Sequence, residues 1–276
     1  MYLDALDHLT CPRHPEARLA LLAGARIARD GAVERGRLRC PACGRVYPIA
    51  GGIADLLGPA PPDSPAQLTN YLPPTAWAYE RLWRRHALTL LSGEPFGPER
   101  ELPLVVGMAA PARGGLIVDV ACSNGLYARA LAQGLGAPGH VVGVDHAPPM
   151  LRQARAYARR AGLRISYVRA RARALPFAAG SAAALAMGGS LNEIGDAPAA
   201  LAELRRVCAC DGRVAMMSLV RAATPAGRAL QAVLGLGGIA FPPLDGLNRM
   251  VAAAGLRLRA EWRHRVVVFS LLTPGR

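Results

Sequence analysis

The run Leu116-Ile117-Val118-Asp119-Val120, then the small residues Ala121-Cys122-Ser123-Asn124-Gly125, then LYARALA, constrains this chain more than any other stretch. The first segment is apolar and β-branched, as in a buried parallel strand, and Leu126, Ala130 and Leu131 have the apolar spacing of a following helix. A strand, a tight turn of small residues and a helix N-terminus together let backbone N–H groups approach a ligand closely. Apolar runs recur at IVDVA, HVVGVD, ISYVRA, AALAMGG and RVAMMSLV, separated by helical stretches such as PPMLRQARAYARRAG and APAALAELRRVC. This alternation predicts an α/β, Rossmann-like, doubly wound sheet. The final GLRLRAEWRHRVVVFSLL reads as two further strands with a turn near Trp262 to Arg265, giving seven in all.

At 276 residues the chain has room for one such domain and a small extra module, and its 52% hydrophobic content suffices for a core. The formal charge of +14 invites a nucleic-acid reading, but all 33 basic residues are Arg and none is Lys. With the abundant Ala, Gly and Pro this points to a GC-rich coding bias, which dilutes charge as a sign of an RNA partner. The cluster Arg169, Arg171 and Arg173 reads as a solvated face. MYLDALDHLTCP carries acids and no long apolar run, so a signal peptide is not expected, nor is a membrane span. A cytoplasmic location is expected, in which cysteines serve as metal ligands or reduced thiols rather than disulfides.

Three of the six cysteines lie in the first 43 residues, as Cys11-Pro-Arg-His14 and Cys40-Pro-Ala-Cys43. Two intervening residues let a tight turn aim both side chains at one ion. The two turns together would complete a tetrahedral zinc site of three thiolates and one imidazole. His8 stands near enough in sequence to replace His14. Between the knuckles, alternating segments flank Asp30-Gly31 as in a hairpin. The chain therefore divides into a zinc-binding domain over 1–58, a Pro-rich linker over 59–70 that takes in most of GPAPPDSPAQ, and a larger domain over 71–276. Cys208 and Cys210, with no further ligands nearby, read as buried thiols.

The segment His140 to Asp145 is an apolar strand ending in an acid, 20 residues beyond Gly125 (145 minus 125). An acid at that separation reaches a ribose diol, and the alternative is a cap for the helix beginning near Pro148. On VDVACSNG, VVGVDHAPPML, ALPFAAGS, ALAELRRVCACDGRVAMMSLV, FPPLDGLNRMVAAAGLRL and YERLWRRHALTLL, the larger domain resembles the class I S-adenosylmethionine-dependent methyltransferases, particularly the ubiquinone and menaquinone methylase subgroup. The CPAC knuckle followed by YPI, GI and LL resembles the zinc-binding activator subunit of tRNA and release-factor methyltransferases. In that family the first knuckle usually ends in Cys where this chain has His14.

The resemblance implies S-adenosyl-L-methionine held by Asp119, Ala121, Cys122, Ser123, Asn124, Gly125, Asp145, His146, Met150, Ala172 and Gly188. It also implies an acceptor pocket lined by residues 188–193 and by Tyr71, Tyr79 and Trp83. Glu193 is the candidate acid–base residue, with His86 and His146 behind it. Three departures stand out: Ala121 and Ser123 occupy glycine positions, Arg171-Ala172 replaces an acid that accepts from the adenine amino group, and Ala182-Ala183 replaces a Phe-Asp pair. The leading expectation is methyl transfer to a small organic acceptor. An rRNA or tRNA base methyltransferase and a non-catalytic methyltransferase-like binding protein are the alternatives.

Overall fold

The computed structural model describes residues 1–62, 64–72, 74 and 85–275. Five strands of the larger domain are parallel: β8 (Gly115–Val120), β9 (Gly139–Asp145), β10 (Ile165–Arg169), β11 (Ala182–Gly188) and β12 (Cys208–Leu219). β13 (Leu256–His264) and β14 (Val267–Pro274) form the expected terminal pair, antiparallel to each other, with β14 antiparallel to β12. In space the order is β13-β14-β12-β11-β8-β9-β10. The chain winds from β8 outward through β9 to β10, then returns to β11 on the other side of β8. Loops leaving β8 and β11 therefore diverge to opposite faces and open a crevice at the carboxyl edge.

Both faces of the sheet are covered, which the near-continuous apolar runs require. Leu116, Val118 and Val120 enter one core while Ile117 enters the other, and Leu185 and Met187 are likewise separated from Ala184 and Ala186. Helices Leu126–Gln133, Pro148–Arg160 and Ala197–Val207 supply amphipathic cover, each placing a buried stripe on the sheet.

The sheet continues past the expected seven strands. Its N-terminal elements are β1 (Thr10–Cys11), β2 (His14–Arg18), β3 (Ala20–Leu21), β4 (Arg26–Ile27), β5 (Val33–Arg39), β6 (Val46–Ala50) and β7 (Ile53–Asp55). Asp30-Gly31 lies between antiparallel β4 and β5, as the hairpin reading expects. β7 pairs in parallel with β10, setting Ile53, Ala54 and Asp55 against Tyr167, Val168 and Arg169. Antiparallel β6 and β5 follow, so the described strands make one twelve-stranded sheet, with β1 and β2 apart. Leu9, Val33, Leu38, Tyr47 and Ile49 join the same apolar cluster as Val118 and Leu185. The small β region thus shares a core with the larger one.

Residues read as a linker are built into the fold. Ser64 caps the short helix Pro65–Leu68 by accepting from the Gln67 N–H, with proline at the first helical position. The Ala66 N–H donates to the Gly237 carbonyl at 2.8 Å. Ser-Pro in a Pro-rich stretch was readable as a spacer, but the same dipeptide starts helices. Cys208 is buried as expected, whereas Cys210 is exposed, because it lies where the start of β12 departs from regular pairing with β11.

Candidate active site

A cavity of about 860 Å³ occupies the crevice at the carboxyl edge. Its floor comes from the loops after β8, β9 and β11, and the helix Pro65–Leu68 and residues 233–241 close its far side.

The loop after β8 shows how this chain dispenses with two glycines. Ala121 and Ser123 both adopt the left-handed region, at φ 54° and 50°, and Gly125 follows at φ 76°. These φ values are strained for a residue carrying a Cβ, yet the surrounding ladder holds them. The Cys122 N–H donates to the Val144 carbonyl, and the Gly125 N–H donates to the Cys122 carbonyl. Gly125 itself faces inward, since a Cβ there would stand 2.8 Å from the Tyr167 hydroxyl and 3.1 Å from the Ala154 methyl. It turns the chain and does not line the cavity.

Asp145 ends β9 at the cavity wall and is 6% exposed. Its Oδ2 accepts from the Ser123 N–H and its Oδ1 from the Ala147 N–H, both at 2.8 Å. Each oxygen retains a second lone-pair direction. The capping alternative does not hold: the N-cap of Pro148–Arg160 is Ala147, and no side chain caps that helix. Asp119 lies beneath the loop and accepts from the Ala128 N–H at 2.8 Å, fixing the helix start against β8. Asp119, Cys122 and Asn124 surround a side pocket of about 30 Å³ that also touches Ala121, Ser123 and Gly188. The Asn124 side chain is buried there with neither its amide nitrogen nor its oxygen hydrogen-bonded. Unpaired buried amides are costly, and a polar ligand end satisfies such a group.

Ala172, Gly188 and His146 line the main cavity. Gly188 must be small, because a Cβ would come within 2.7 Å of the Tyr127 ring. His146 Nδ1 lies 3.2 Å from the Tyr71 hydroxyl, which bridges it to residues 69–71. Met150 does not reach the cavity; it is fully buried with Ala147, and the Ser123 hydroxyl lies 3.5 Å from its sulfur. Tyr79 and Trp83 lie outside the described residues. His86 is exposed and does not line the cavity.

Glu193 faces the cavity from the turn after β11. Burial, and secondarily the charge of Asp145, push its carboxyl up to about 7. Its backbone carbonyl accepts from Ser64 Oγ at 3.2 Å and from Gln67 Nε2 at 3.3 Å. Asn192 beside it is fully engaged, donating to the Leu219 and Ala240 carbonyls and accepting from the Leu219 N–H. Leu88, Leu91, Met217, Leu219, Ile239 and Phe241 make much of the remaining wall apolar. Gln67 escaped the sequence reading because it sits in the Pro-rich stretch, where nothing in the spacing marks it.

The arginine cluster is not a solvated face. The Arg169 side chain is 11% exposed and pairs with Asp55 at 2.9 Å. Arg171 is half-buried, lines the cavity and donates to the Pro61 carbonyl at 3.0 Å. Both side chains are drawn in by acceptors more than a hundred residues away in sequence.

At the other end of the sheet, ligand atoms of Cys11, His14, Cys40 and Cys43 all lie within 4.8 Å of one another. Cys11 Sγ is 3.9 Å from His14 Nδ1 and 4.0 Å from Cys43 Sγ, and Cys40 Sγ is 4.0 Å from His14 Nδ1. A tetrahedral ion with sulfur ligands at about 2.3 Å requires edges of about 3.8 Å, so this donor set fits a metal. The Tyr47 hydroxyl lies 3.2 Å from Cys11 Sγ, where it can orient a thiolate. His8 is not part of the group; its ring packs 5.2 Å from that of His140.

The methyltransferase-domain family matches residues 117–212, which contain the β8 loop, Asp145, Gly188 and Glu193. A demethylmenaquinone methyltransferase of Thermus thermophilus is 36% identical over 170 residues, covering 52% of this chain and 76% of the relative. An uncharacterized chloroplastic methyltransferase of Arabidopsis thaliana is 32% identical over 192 residues, covering 66% of this chain. The chain spans about half that relative's length, 53%. Among solved structures, a complex between the Haloferax volcanii Trm112 methyltransferase activator and a putative methyltransferase is similar in fold. The match has a TM-score of 0.59 at 14% identity and covers 79% of this chain and 100% of the matched one.

Proposed function

The chain belongs to the methyltransferase-domain family, and we propose that it transfers the methyl group of S-adenosylmethionine to a small, largely apolar organic acceptor. The observation that carries this reading is one shared cavity. The ribose-type acid Asp145, the left-handed β8 loop, Gly188 and the acid Glu193 all border it. The bound cofactor supplies an electrophilic sulfonium methyl group.

The protein's part is alignment, exclusion of water and handling of one proton. In this reading Asp145 accepts from the ribose hydroxyls through its remaining lone pairs, and the backbone of Ala121 to Ser123 approaches the cofactor closely. Asn124 is satisfied by the polar amino-acid end. Ala172 offers its backbone N–H to the adenine ring, and Arg171, whose guanidinium can only donate hydrogen bonds, leaves the adenine amino group to other partners. Glu193, with its carboxyl near 7, takes a proton from the acceptor as the new bond forms. The apolar walls and the volume suit a flat ring with a hydrocarbon substituent, and quinone methylation in the Thermus relative supports that acceptor class.

Cys11, His14, Cys40 and Cys43 are proposed to hold zinc, since three thiolates and one imidazole suit that ion and a closed tetrahedral set is structural. The region bearing them is proposed to be akin to the methyltransferase activator subunit.

Calorimetric titration with S-adenosylmethionine and S-adenosylhomocysteine tests the cofactor reading. The parent should bind both. Asp145→Ala should bind roughly ten- to a hundredfold more weakly, because a buried charged acceptor is lost. A parent with no heat down to millimolar ligand defeats the proposal, and an Asp145→Ala variant that binds like the parent removes the ribose assignment.

A further inference from the structure

We propose that Arg169 is a positioning residue: it ties the metal-bearing β region to the loop that presents Asp145, so that the state of the Cys/His cluster sets the order of the cofactor site. The role in cofactor binding rests on the reading above; the tether itself does not.

The connection can be followed atom by atom. Cys40 and Cys43 sit in the turn between β5 and β6, which closes when the Cys40 N–H donates to the Arg45 carbonyl. β6 pairs with β7, and β7 ends in Asp55. One oxygen of Asp55 shapes the next turn by accepting from the Leu57 and Gly58 N–H groups at 3.1 and 2.8 Å. Its other oxygen receives Arg169 Nη1 at 2.9 Å, and the same nitrogen donates to the Gly58 carbonyl at 2.8 Å. Arg169 Nε donates to the carbonyl of His146, adjacent to Asp145, at 3.0 Å. A single planar guanidinium thus joins a turn at residues 55–58 to the cavity wall at 145–146.

This arrangement is more than packing for two reasons. The guanidinium is nearly enclosed, so each of its donors matters and loss of one partner is not replaced by water at no cost. Its geometry is also specific: a lysine supplies one charged point, whereas Arg169 serves Asp55 and His146 from separate nitrogens held in one plane. Two cofactor-loop amides, those of Ser123 and Ala147, both donate to Asp145 and therefore report on whether that wall is held.

Amide hydrogen exchange on the full chain, without cofactor, tests the tether. With zinc bound, the parent should protect the amides of Ser123 and Ala147. Chelation should raise their exchange in the parent. In Arg169→Gln these amides should already exchange faster with metal present, and chelation should add nothing further. Asp55→Asn, nearly isosteric and folded with its metal, should reproduce Arg169→Gln, and the double variant should exchange no faster than either single one.

Chelation that loosens the two amides equally in the parent and in Arg169→Gln would show that the β7–β10 ladder carries the effect, and would overturn the proposal. So would an Asp55→Asn variant with unchanged exchange. Calorimetry with S-adenosylhomocysteine adds the functional arm, where Arg169→Gln should weaken binding by roughly tenfold. A parent that binds no cofactor refutes the methyltransferase reading alone, and the exchange result still decides the tether.

Discussion

Replacing Ala121 or Ser123 with glycine should stabilise the protein, although glycine usually destabilises a folded chain. Both residues hold φ near 50°. The left-handed region costs a residue with a Cβ about 1 to 2 kcal/mol, and glycine removes that cost. Against this, glycine widens the unfolded ensemble by about 0.4 to 1 kcal/mol. The balance is a gain of roughly 0.5 to 1 kcal/mol for each substitution. The two sites lie in one turn, so their effects need not add. Gly125→Ala must go the other way, because it adds the same φ penalty at 76° and drives a methyl group to 2.8 Å from the Tyr167 hydroxyl. Urea unfolding of the three variants gives the signs through the midpoint at constant slope. Ala110→Gly, at φ 50° and outside the cavity lining, serves as a reference. Cofactor affinity should change little for Ala121→Gly and Ser123→Gly, since the strain is present before ligand arrives. If both substitutions lower stability while Ala110→Gly raises it, the loop does not hold these φ values in solution and the close-approach argument fails.

Elemental analysis should find about one zinc per chain, and Cys40→Ser should lose it, with faster proteolysis within residues 3–58; intact metal content in that variant would remove Cys40 from the proposed ligand set. With Glu193 as the proposed base and its carboxyl pushed up to about 7, turnover should rise with pH through about 7 and level off above it, and Glu193→Gln should abolish that step; an unchanged profile would deny Glu193 the role. The same raised carboxyl makes a stability contribution that is present below the ordinary value of 4.5 and lost as pH climbs through about 7. Glu193→Gln should therefore be no less stable than the parent at pH 8, as melting across that window would show. RNA binding should be weak with a shallow salt dependence, and tight, steeply salt-dependent binding of structured RNA would favour a nucleic-acid acceptor instead.

What this sequence determined alone is whatever neighbours along the chain can encode. β-Branched runs gave away β8 and β9, since a strand buried on both faces must be apolar throughout. The CxxH and CxxC spacings marked the four residues whose ligand atoms cluster, because two intervening residues fix how a turn aims its side chains. The separation from Gly125 to Asp145 marked the end of the next strand. Tertiary structure decided what depends on distant partners. Nothing local indicates that the three residues Ile53–Asp55 will pair with β10, or that Arg169 will turn inward to an acid 114 positions earlier. The same is true of Arg171, whose acceptor at Pro61 is a backbone carbonyl with no residue type to recognise. Ala121 and Ser123 have no residue preference for their left-handed φ, at which only their standing in glycine positions of the resembled family hints, because the conformation is imposed by the hydrogen bonds around the loop. Glu193 has an unremarkable sequence context; its raised carboxyl comes from burial beside Asp145, which exists only once β9 and β11 stand on either side of β8. Local pattern specifies element type through short-range sterics and periodicity. Burial, charge pairing and backbone strain are properties of the assembled sheet.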